Sequence, residues 1–593
     1  MQYIDLAAVY DSLVAEPSSL KKAALIATLL KKGVTTKQDA LELILLLQGK
    51  VFSQADEAKI GYSTRLVIKS IAISAGFSEK EIEERWRSLG DLGLVAEELL
   101  HKKKQNVLFS SPLSVDEVFS SFRKIASYTG EGSVSQKVKL FSRLLSSATP
   151  LEAKYLVRGV LEELRVGVAE GTLRDAIVRA FLDQDGMFEQ DEGVDEGKYN
   201  DREQYVVRVS AVQRAIDLSG DLALVCYIAK TEGLEGLEKI RLVPGSPIRV
   251  MLGPKMETIE QALKTVGVPA AIEYKYDGFR ILAHKVNGVI SLYTRKLELV
   301  TNQFPEVVAA LNKGVAAKEF ILDGEAVGID PKTKKYLPFQ FVSQRIRRKY
   351  RIDELAKKLP CVFVVFDALF ADGVTLLDES NEHRRAALEK LLVPLPHELE
   401  LATRKIISSE QEAQEFYERS LGAGNEGVMF KNLSSPYALG KRVGHMVKMK
   451  PTLETFDLVI VGAEWGEGKR SGWLTSFLLA CRTFDGEYVS VGRVGTGLKE
   501  KEELGVSFSE MTELLRPYIL EEVGREVRLT PHIVVEVAFE EIQKSTTYEA
   551  GFALRFPRIL RLRDDRGSDS ITSLDHVADI FDDQRHATQK NRS

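Results

Sequence analysis

The chain has 593 residues, 44% of them apolar and 28% charged, which is the balance of a globular protein of two to four domains. No apolar run approaches the roughly 18 residues that a bilayer span needs. The start, Met1 to Val14, is acidic at Asp5 and Asp11 and lacks the pattern of a secretory leader, so no membrane role and a cytoplasmic setting are expected. A net charge of -5 with a pI of about 6.1 gives no overall attraction to nucleic acid, and any such partner must be held by local basic clusters.

To about Glu232 the pattern is helical. Ser18 and Ser19 suit the cap of a helix beginning at Leu20, and Gly33 suits its end. Apolar residues recur at helical spacing over Leu20–Leu30, Gln38–Leu47, Gln136–Leu145, Leu151–Leu164, Leu173–Phe181 and Val212–Lys230. A basic run, His101 to Lys104, leads into Gln105-Asn106-Val107-Leu108-Phe109 and then Ser110-Ser111-Pro112, the composition of an exposed loop. The acidic, glycine-bearing stretch Asp183–Glu203 suits a surface loop.

After Pro244-Gly245-Ser246-Pro247 the texture changes. Strands are predicted over Ala271–Lys275, Arg280–Val286, Val289–Tyr293, Phe320–Val327, Val362–Phe366 and Val428–Lys431, with helices over Phe304–Asn312 and Glu382–Leu392. This is α+β patterning. A second basic cluster runs from Arg345 to Arg351; either cluster suits a solvated face as well as a phosphate contact. Beyond Pro451, strand runs at Asp457–Ala463, Ser476–Arg482, Tyr488–Gly492 and Ile533–Phe539 alternate with glycine turns and suit a small barrel. The polar tail, 582–593, is expected to be disordered. Cys226, Cys361 and Cys481 sit in apolar surroundings without metal-type spacing and read as core residues.

One constellation carries chemistry. In Glu273-Tyr274-Lys275-Tyr276-Asp277-Gly278-Phe279-Arg280 a lysine ends a strand and an arginine opens the next. Asp277-Gly278 is a hairpin signal, so Lys275 and Arg280 are expected to face each other across a hairpin and to need an anion, phosphate being the usual one. Lys448 and Lys450 alternate with Val447 and Met449, so in a strand both face one side.

Lys275-Tyr276-Asp277-Gly278-Phe279-Arg280 resembles motif I of the covalent nucleotidyltransferases, which comprise ATP-dependent DNA ligases, RNA ligases and capping enzymes. Six further elements follow in family order: Tyr293-Thr294-Arg295-Lys296, Leu322-Asp323-Gly324-Glu325-Ala326, Val365-Phe366-Asp367-Ala368-Leu369, Glu426-Gly427-Val428-Met429-Phe430-Lys431, Val447-Lys448-Met449-Lys450, and Arg555-Phe556-Pro557-Arg558 with Arg563-Asp564-Asp565-Arg566. Leu164 to Thr172 resembles the helical DNA-binding domain of archaeal and eukaryotic replicative DNA ligases, and Pro338-Phe339-Gln340 with the basic run after it and Phe539 to Gln543 resemble archaeal ones. Met446 stands where the family often has tryptophan, and Arg566 where it usually has lysine.

The resemblance implies a multidomain protein: an all-α DNA-binding domain (1–232), an α+β adenylylation domain (233–450) and a β-barrel OB-fold domain (451–593). It implies a monomeric, nucleoid-associated DNA ligase that uses ATP and Mg²⁺ (or Mn²⁺) to seal nicked duplex DNA in replication, recombination and repair. Lys275 would attack the α-phosphorus as a neutral amine. Neighbouring cations favour that form, and Lys448, Lys450 and a bound metal would supply them. Arg280 and Arg295 would hold ribose and phosphates, Arg442 another part of the nucleotide. Glu325 would take a ribose hydroxyl, Phe366 would stack on adenine and Glu273 would read its edge. Glu426, with Glu325, would hold the metal, and Asp323 would support the turn. Arg555 and Arg558 would face pyrophosphate in the first step. Gln105, Leu108 and Phe109 resemble the shortened motif that docks archaeal ligases on the sliding clamp. Two other readings differ in kind: an RNA-directed enzyme of the same superfamily, which would ordinarily lack the long helical region, and a degenerate DNA-binding protein, which would have lost Lys275, Glu426 or Lys448.

Overall fold

The structure is a computed structural model describing the chain apart from residues 54, 55, 57, 103–111, 184–201, 338, 340, 341, 343, 344, 346–351, 441–443, 452–454, 468, 469, 471, 500–505 and 588–593. Arg442, the clamp-docking residues Gln105, Leu108 and Phe109, and nearly all of the Asp183–Glu203 stretch therefore lie outside the described residues, as does the end of the polar tail; its first residues, to Ala587, continue a helix from Leu574.

Helices from Tyr3–Ala15 to Gly233–Glu238 share one apolar core that runs from Tyr3 to Leu237. Ser18 caps the helix Ser19–Gly33 by accepting a hydrogen bond from the Lys21 amide. Gly33 is that helix's last residue but is not left-handed; a Cβ there would strike Met1 Cε and Leu43 Cδ1, so it is small for packing. The predicted helix Leu151–Leu164 stops at Val160, because Glu162 and Arg165 take positive φ (58° and 57°). Val212–Lys230 is two helices, Arg202–Ser219 and Leu222–Thr231, parted at Gly220 and restarted by the Asp221 cap. The seam to the next core is shared: Leu218 packs with Leu242, Ile248 and Leu282, while Leu237 stays with the helices.

The central region holds two sheets. In chain order its strands are β1 Lys255–Met256, β2 Ala270–Lys275, β3 Phe279–Val286, β4 Val289–Thr294, β5 Phe320–Ile329, β6 Tyr336–Leu337, β7 Cys361–Ala371, β8 Val374–Thr375, β9 Leu399–Leu401, β10 Arg404–Ile407, β11 Gly427–Asn432 and β12 Met446–Met449. The first sheet has the order β1-β12-β11-β2-β10; the second has β4-β3-β5-β7-β8, with β6 on β5 and β9 on β7. Helices Ile259–Val266 and Glu410–Gly422 cover the outer face of the first sheet, where Ile272, Val428, Phe430 and Val447 form its core. A further cluster, with Leu282, Ile321, Leu369 and Met446, lies between the sheets. Arg345, from the second basic cluster, is no solvated charge: it is 1% exposed, pairs with Glu306 and donates to the Gln303 carbonyl at 2.6 Å.

The last region is built on β13 (Phe456–Trp465), which pairs with β14 (Leu474–Arg482), β17 (Glu526–Leu529) and β18 (Val534–Ala538). A break in register between Ile460 and Gly462 lets one strand serve both β18 and β17. β15 (Tyr488–Val494), β16 (Ile519–Val523) and β21 (Arg558–Leu562) extend the sheet, and β19 (Glu541–Lys544) pairs with β20 (Phe552–Arg555). Its apolar core, Phe456 to Phe581, contains none of the described residues from the rest of the chain. All three cysteines are buried. No helix among the described residues is long and apolar enough to cross a membrane.

Ion pairs join the three regions in a circuit. Glu170 pairs with Arg249, Nη1 to Oε1 2.6 Å, and so ties the helices to the centre. Arg165 reaches Glu467 at 2.6 Å and Arg525 pairs with the same carboxylate, tying helices to barrel. Lys450 reaches Glu540 at 2.7 Å, tying centre to barrel.

Candidate active site

Strand alternation sorts β2 into two sets of side chains. Ile272 enters the outer core while Ala271, Glu273 and Lys275 share the opposite face. Register carries that face across the sheet. Gly427 lies opposite Lys275, Met429 opposite Glu273 and Lys431 opposite Ala271; Lys448 lies opposite Met429 and Arg404 opposite Glu273. Lys448 and Lys450 thus face one side, as their spacing predicts, Lys450 standing just past the strand end.

The hairpin expected at Asp277-Gly278 does not form. β2 pairs with β10 and β11, whereas β3 pairs with β4 and β5. The turn carries the chain from one sheet to the other, and Lys275 stands at that crossing. A Cβ on Gly278 would lie 2.6 Å from the Ala326 carbonyl oxygen, so glycine is set here by close approach to β5. Gly427 has φ 152°, and a Cβ there would strike the Met449 carbonyl oxygen at 2.2 Å. Both absences of a side chain let backbone close around Lys275.

Lys275 donates to Glu426, whose backbone amide in turn donates to the Lys275 carbonyl at 2.8 Å. Lys450 donates to the other Glu426 oxygen at 3.1 Å. Burial works against the Glu426 carboxylate, but Lys275 and Lys450 bring it below the usual range. Burial, Lys275 and Lys450 together push the Lys448 ammonium down. Glu325 is pushed up to about 8 by burial and has no hydrogen bond among the described residues. A half-buried carboxylate without a hydrogen bond, near Glu426, is a hard-oxygen donor set suited to a divalent cation that also takes phosphate oxygens and water. No group of three or more His, Cys, Asp or Glu side chains gathers among the described residues, so a cation here would rely on phosphate oxygens and water beside the two carboxylates.

On the second sheet Arg280 lies opposite Glu325 in register. It is locked rather than free. Nε and Nη2 donate to the two oxygens of buried Asp323 at 3.0 and 2.6 Å, and Nη1 donates to the Met251 carbonyl at 2.8 Å. The Tyr437 hydroxyl donates to Asp323 at 2.6 Å and accepts from the Met251 amide. Asp323 therefore supports Arg280 rather than only a turn. Tyr437 was not legible in the sequence, because nothing local marks it. Arg295 follows β4 and extends the row of Arg280; it is exposed and lines a cleft with Lys50, Lys59 and Arg249. Phe366 is the bulged residue of β7. Asp367 pairs with Asp323 and Val365 with Gly324, so Phe366 is left unopposed. It is half-buried in an otherwise buried run, and Arg280 and Lys431 approach its ring at 5.4 and 5.0 Å. The bulge re-aims it out of the core.

The barrel reaches into this cleft. Arg555 pairs with Glu541 at 2.9 Å, lies 3.9 Å from Asp277 and stacks its guanidinium over Phe339 at 4.8 Å. Arg558 is exposed at the start of β21. Arg563 and Arg566 point away, bracing Asp457 within the barrel. Glu540 and Glu541, noticed in the sequence only as part of a family-like segment, are the partners of Lys450 and Arg555.

Family models match three stretches: the DNA ligase N terminus over residues 2–178, the ATP dependent DNA ligase domain over 250–450, and the ATP dependent DNA ligase C terminal region over 470–566. A DNA ligase of Nanoarchaeum equitans is 45% identical over the full length of both chains. The chain belongs to the ATP-dependent DNA ligase family. A DNA ligase of Thermococcus onnurineus is 38% identical, covering all of this chain and 99% of its own. The solved structure Pmar-Lig_PreS3 shares the fold over 94% of this chain and 99% of its own, with a TM-score of 0.57 at 16% identity. This ligase accordingly uses ATP to seal nicks in duplex DNA through lysyl-AMP and DNA-adenylate intermediates, the chemistry of its family.

Proposed function

We propose that Lys275 is the residue adenylylated in that cycle. The observation that carries this reading is its position, at the crossing between two sheets, with Glu426 and Lys450 beside it and Arg280 and Glu325 on the facing sheet. In the first step the Lys275 amine bonds to the α-phosphorus of ATP and pyrophosphate leaves. AMP then passes to the nick 5′-phosphate, which frees the lysine. The 3′-hydroxyl finally attacks that phosphate and AMP leaves. Each displacement is in-line at phosphorus, so the protein supplies position and charge.

Lys448 and Lys450 offset negative charge on the phosphates. Arg280, fixed by Asp323, and Arg295 hold ribose and phosphates; Glu325 accepts a ribose hydroxyl; Phe366 stacks on adenine and Glu273 reads its edge. Arg442 adds a further nucleotide contact. Arg555 and Arg558 face the departing pyrophosphate. Glu426 and Glu325 would hold Mg²⁺ or Mn²⁺, which supplies charge neutralisation at the phosphates. Residues 1–232 form the DNA-binding domain, 233–450 the adenylylation domain and 451–593 the OB-fold domain, acting as a monomer on the DNA of the nucleoid in the cytoplasm. Docking on a sliding clamp through Gln105, Leu108 and Phe109 rests on the sequence pattern; replacing the three with alanine should remove clamp stimulation and leave clamp-free sealing intact.

The deciding experiment is Lys275→Ala. It should abolish label transfer from α-labelled ATP to the protein yet retain some sealing of a nick already carrying 5′-AMP. Persistent labelling of the variant would overturn the assignment.

A further inference from the structure

Behind Phe366 lies a charge cluster that the phosphate chemistry does not use. Glu273 is 2% exposed. Lys431, 3% exposed, forms an ion pair with Glu273 Oε2 at 2.6 Å. Arg404 approaches the other oxygen, Oε1, only to 3.7 Å, and spends Nη2 on Asn381 Oδ1 at 3.0 Å. Glu273 Oε1 and Arg404 Nη1 are buried without a hydrogen-bond partner among the described residues. Two unsatisfied buried polar atoms in one place are costly. They are tolerated where a ligand completes them. Glu273 stands two residues before Lys275 on the same strand face, and Lys431 Nζ lies 5.0 Å from the centre of the Phe366 ring. A flat ring seated on Phe366 would present its edge to this cluster.

We propose that Lys431 and Arg404 are positioning residues that set the preference of the site for adenine over guanine, by holding the Glu273 carboxylate with Oε1 left open as an acceptor. The inference rests on Lys275 being the adenylylated lysine. An ionised carboxylate only accepts hydrogen bonds. Adenine carries an amino donor at position 6 and satisfies Oε1. Guanine carries a carbonyl oxygen there, and two acceptors face each other unpaired. Such a mismatch in a buried site is a strong rejection. Lys431 enforces it by its grip on Oε2, which fixes which oxygen meets the base. Without that grip the carboxylate turns to Arg404 and abandons the base.

The test compares initial rates of protein labelling from α-labelled ATP and α-labelled GTP, each over a range of concentrations. Lys431→Met should lower the ratio of kcat/KM for ATP to that for GTP at least tenfold, and Lys431→Arg should restore most of it. Glu273→Gln, which keeps the shape and offers an amide donor, should lower the same ratio and serves if Lys431→Met does not fold. A parallel fall with both nucleotides in Lys431→Met, or an unchanged ratio in Glu273→Gln, would overturn the proposal. Labelling that survives Lys275→Ala would instead overturn the reading beneath it, so the two failures are distinct.

Discussion

The two surfaces that meet over Lys275 are held together by different means. On the central side the charged groups are buried and doubly bonded: Arg280 to Asp323, and Arg384 to Asp367 at 2.7 and 3.1 Å. On the barrel side, contact with the centre runs through Lys450–Glu540, with Glu540 44% exposed, and through Arg555 at 3.9 Å from Asp277. Among the described residues no apolar core crosses that boundary. Buried pairs are expensive to break by removing one partner, whereas exposed ones contribute little and are screened by salt. One surface is thus built to keep its shape and the other to come and go. The proposed cycle, in which the barrel cations face pyrophosphate and later leave an open face for DNA, requires that difference.

The contrast can be broken at its strongest point first. Asp323→Ala leaves Arg280 buried without its carboxylate and should cost about 3–5 kcal/mol of stability, read as a fall in the denaturant midpoint; an unchanged midpoint would mean that the central surface is not locked. Arg555→Ala should slow self-adenylylation about 10²–10³-fold, the loss typical of a single transition-state donor, while thermal stability and the sealing of a pre-adenylylated nick change far less. Equal losses in both steps would deny the barrel its step-specific role. Glu540→Gln should alter stability by no more than about 1 kcal/mol, seen by thermal unfolding.

The smallest effect concerns acid. Arg563 holds the exposed Asp565 carboxyl down at about 2, below its ordinary 3.8. A depressed carboxyl contributes stability above the unfolded value, lost as pH falls from about 4 toward 2. Asp565→Asn should slightly flatten the acid limb of the barrel's unfolding curve and leave neutral pH untouched.

What was legible in the sequence was local. The alternation of Lys448 and Lys450, the strand ending at Lys275 and the Ser18 cap follow from spacing within a few residues, and the structure has them. The ligase motifs gave the family because their order survives any folding. What failed was pairing. Asp277-Gly278 signals that the chain turns, but not that β2 will join β11 from 150 residues on while β3 joins β5. The bulge at Phe366, the Tyr437 hydroxyl on Asp323 and the approach of Arg404 to Glu273 are likewise meetings of distant segments. They depend on register between strands, which no single segment encodes.

The ion pairs that join helices, centre and barrel make the enzyme sensitive to salt. Arg165–Glu467 lies a quarter to a third exposed, and Lys450–Glu540 is also open to solvent at its carboxylate. On the proposed assignment of the helices and barrel to DNA binding, a duplex entering between them must first part such links, and dissolved ions weaken them. The same ions weaken capture of the duplex by competing for its phosphates. Ionic strength therefore pulls turnover in opposite directions, and the sealing rate at limiting DNA should pass through a maximum at intermediate salt. Replacing Glu467 with glutamine frees the gate in advance, so that maximum should move toward lower salt.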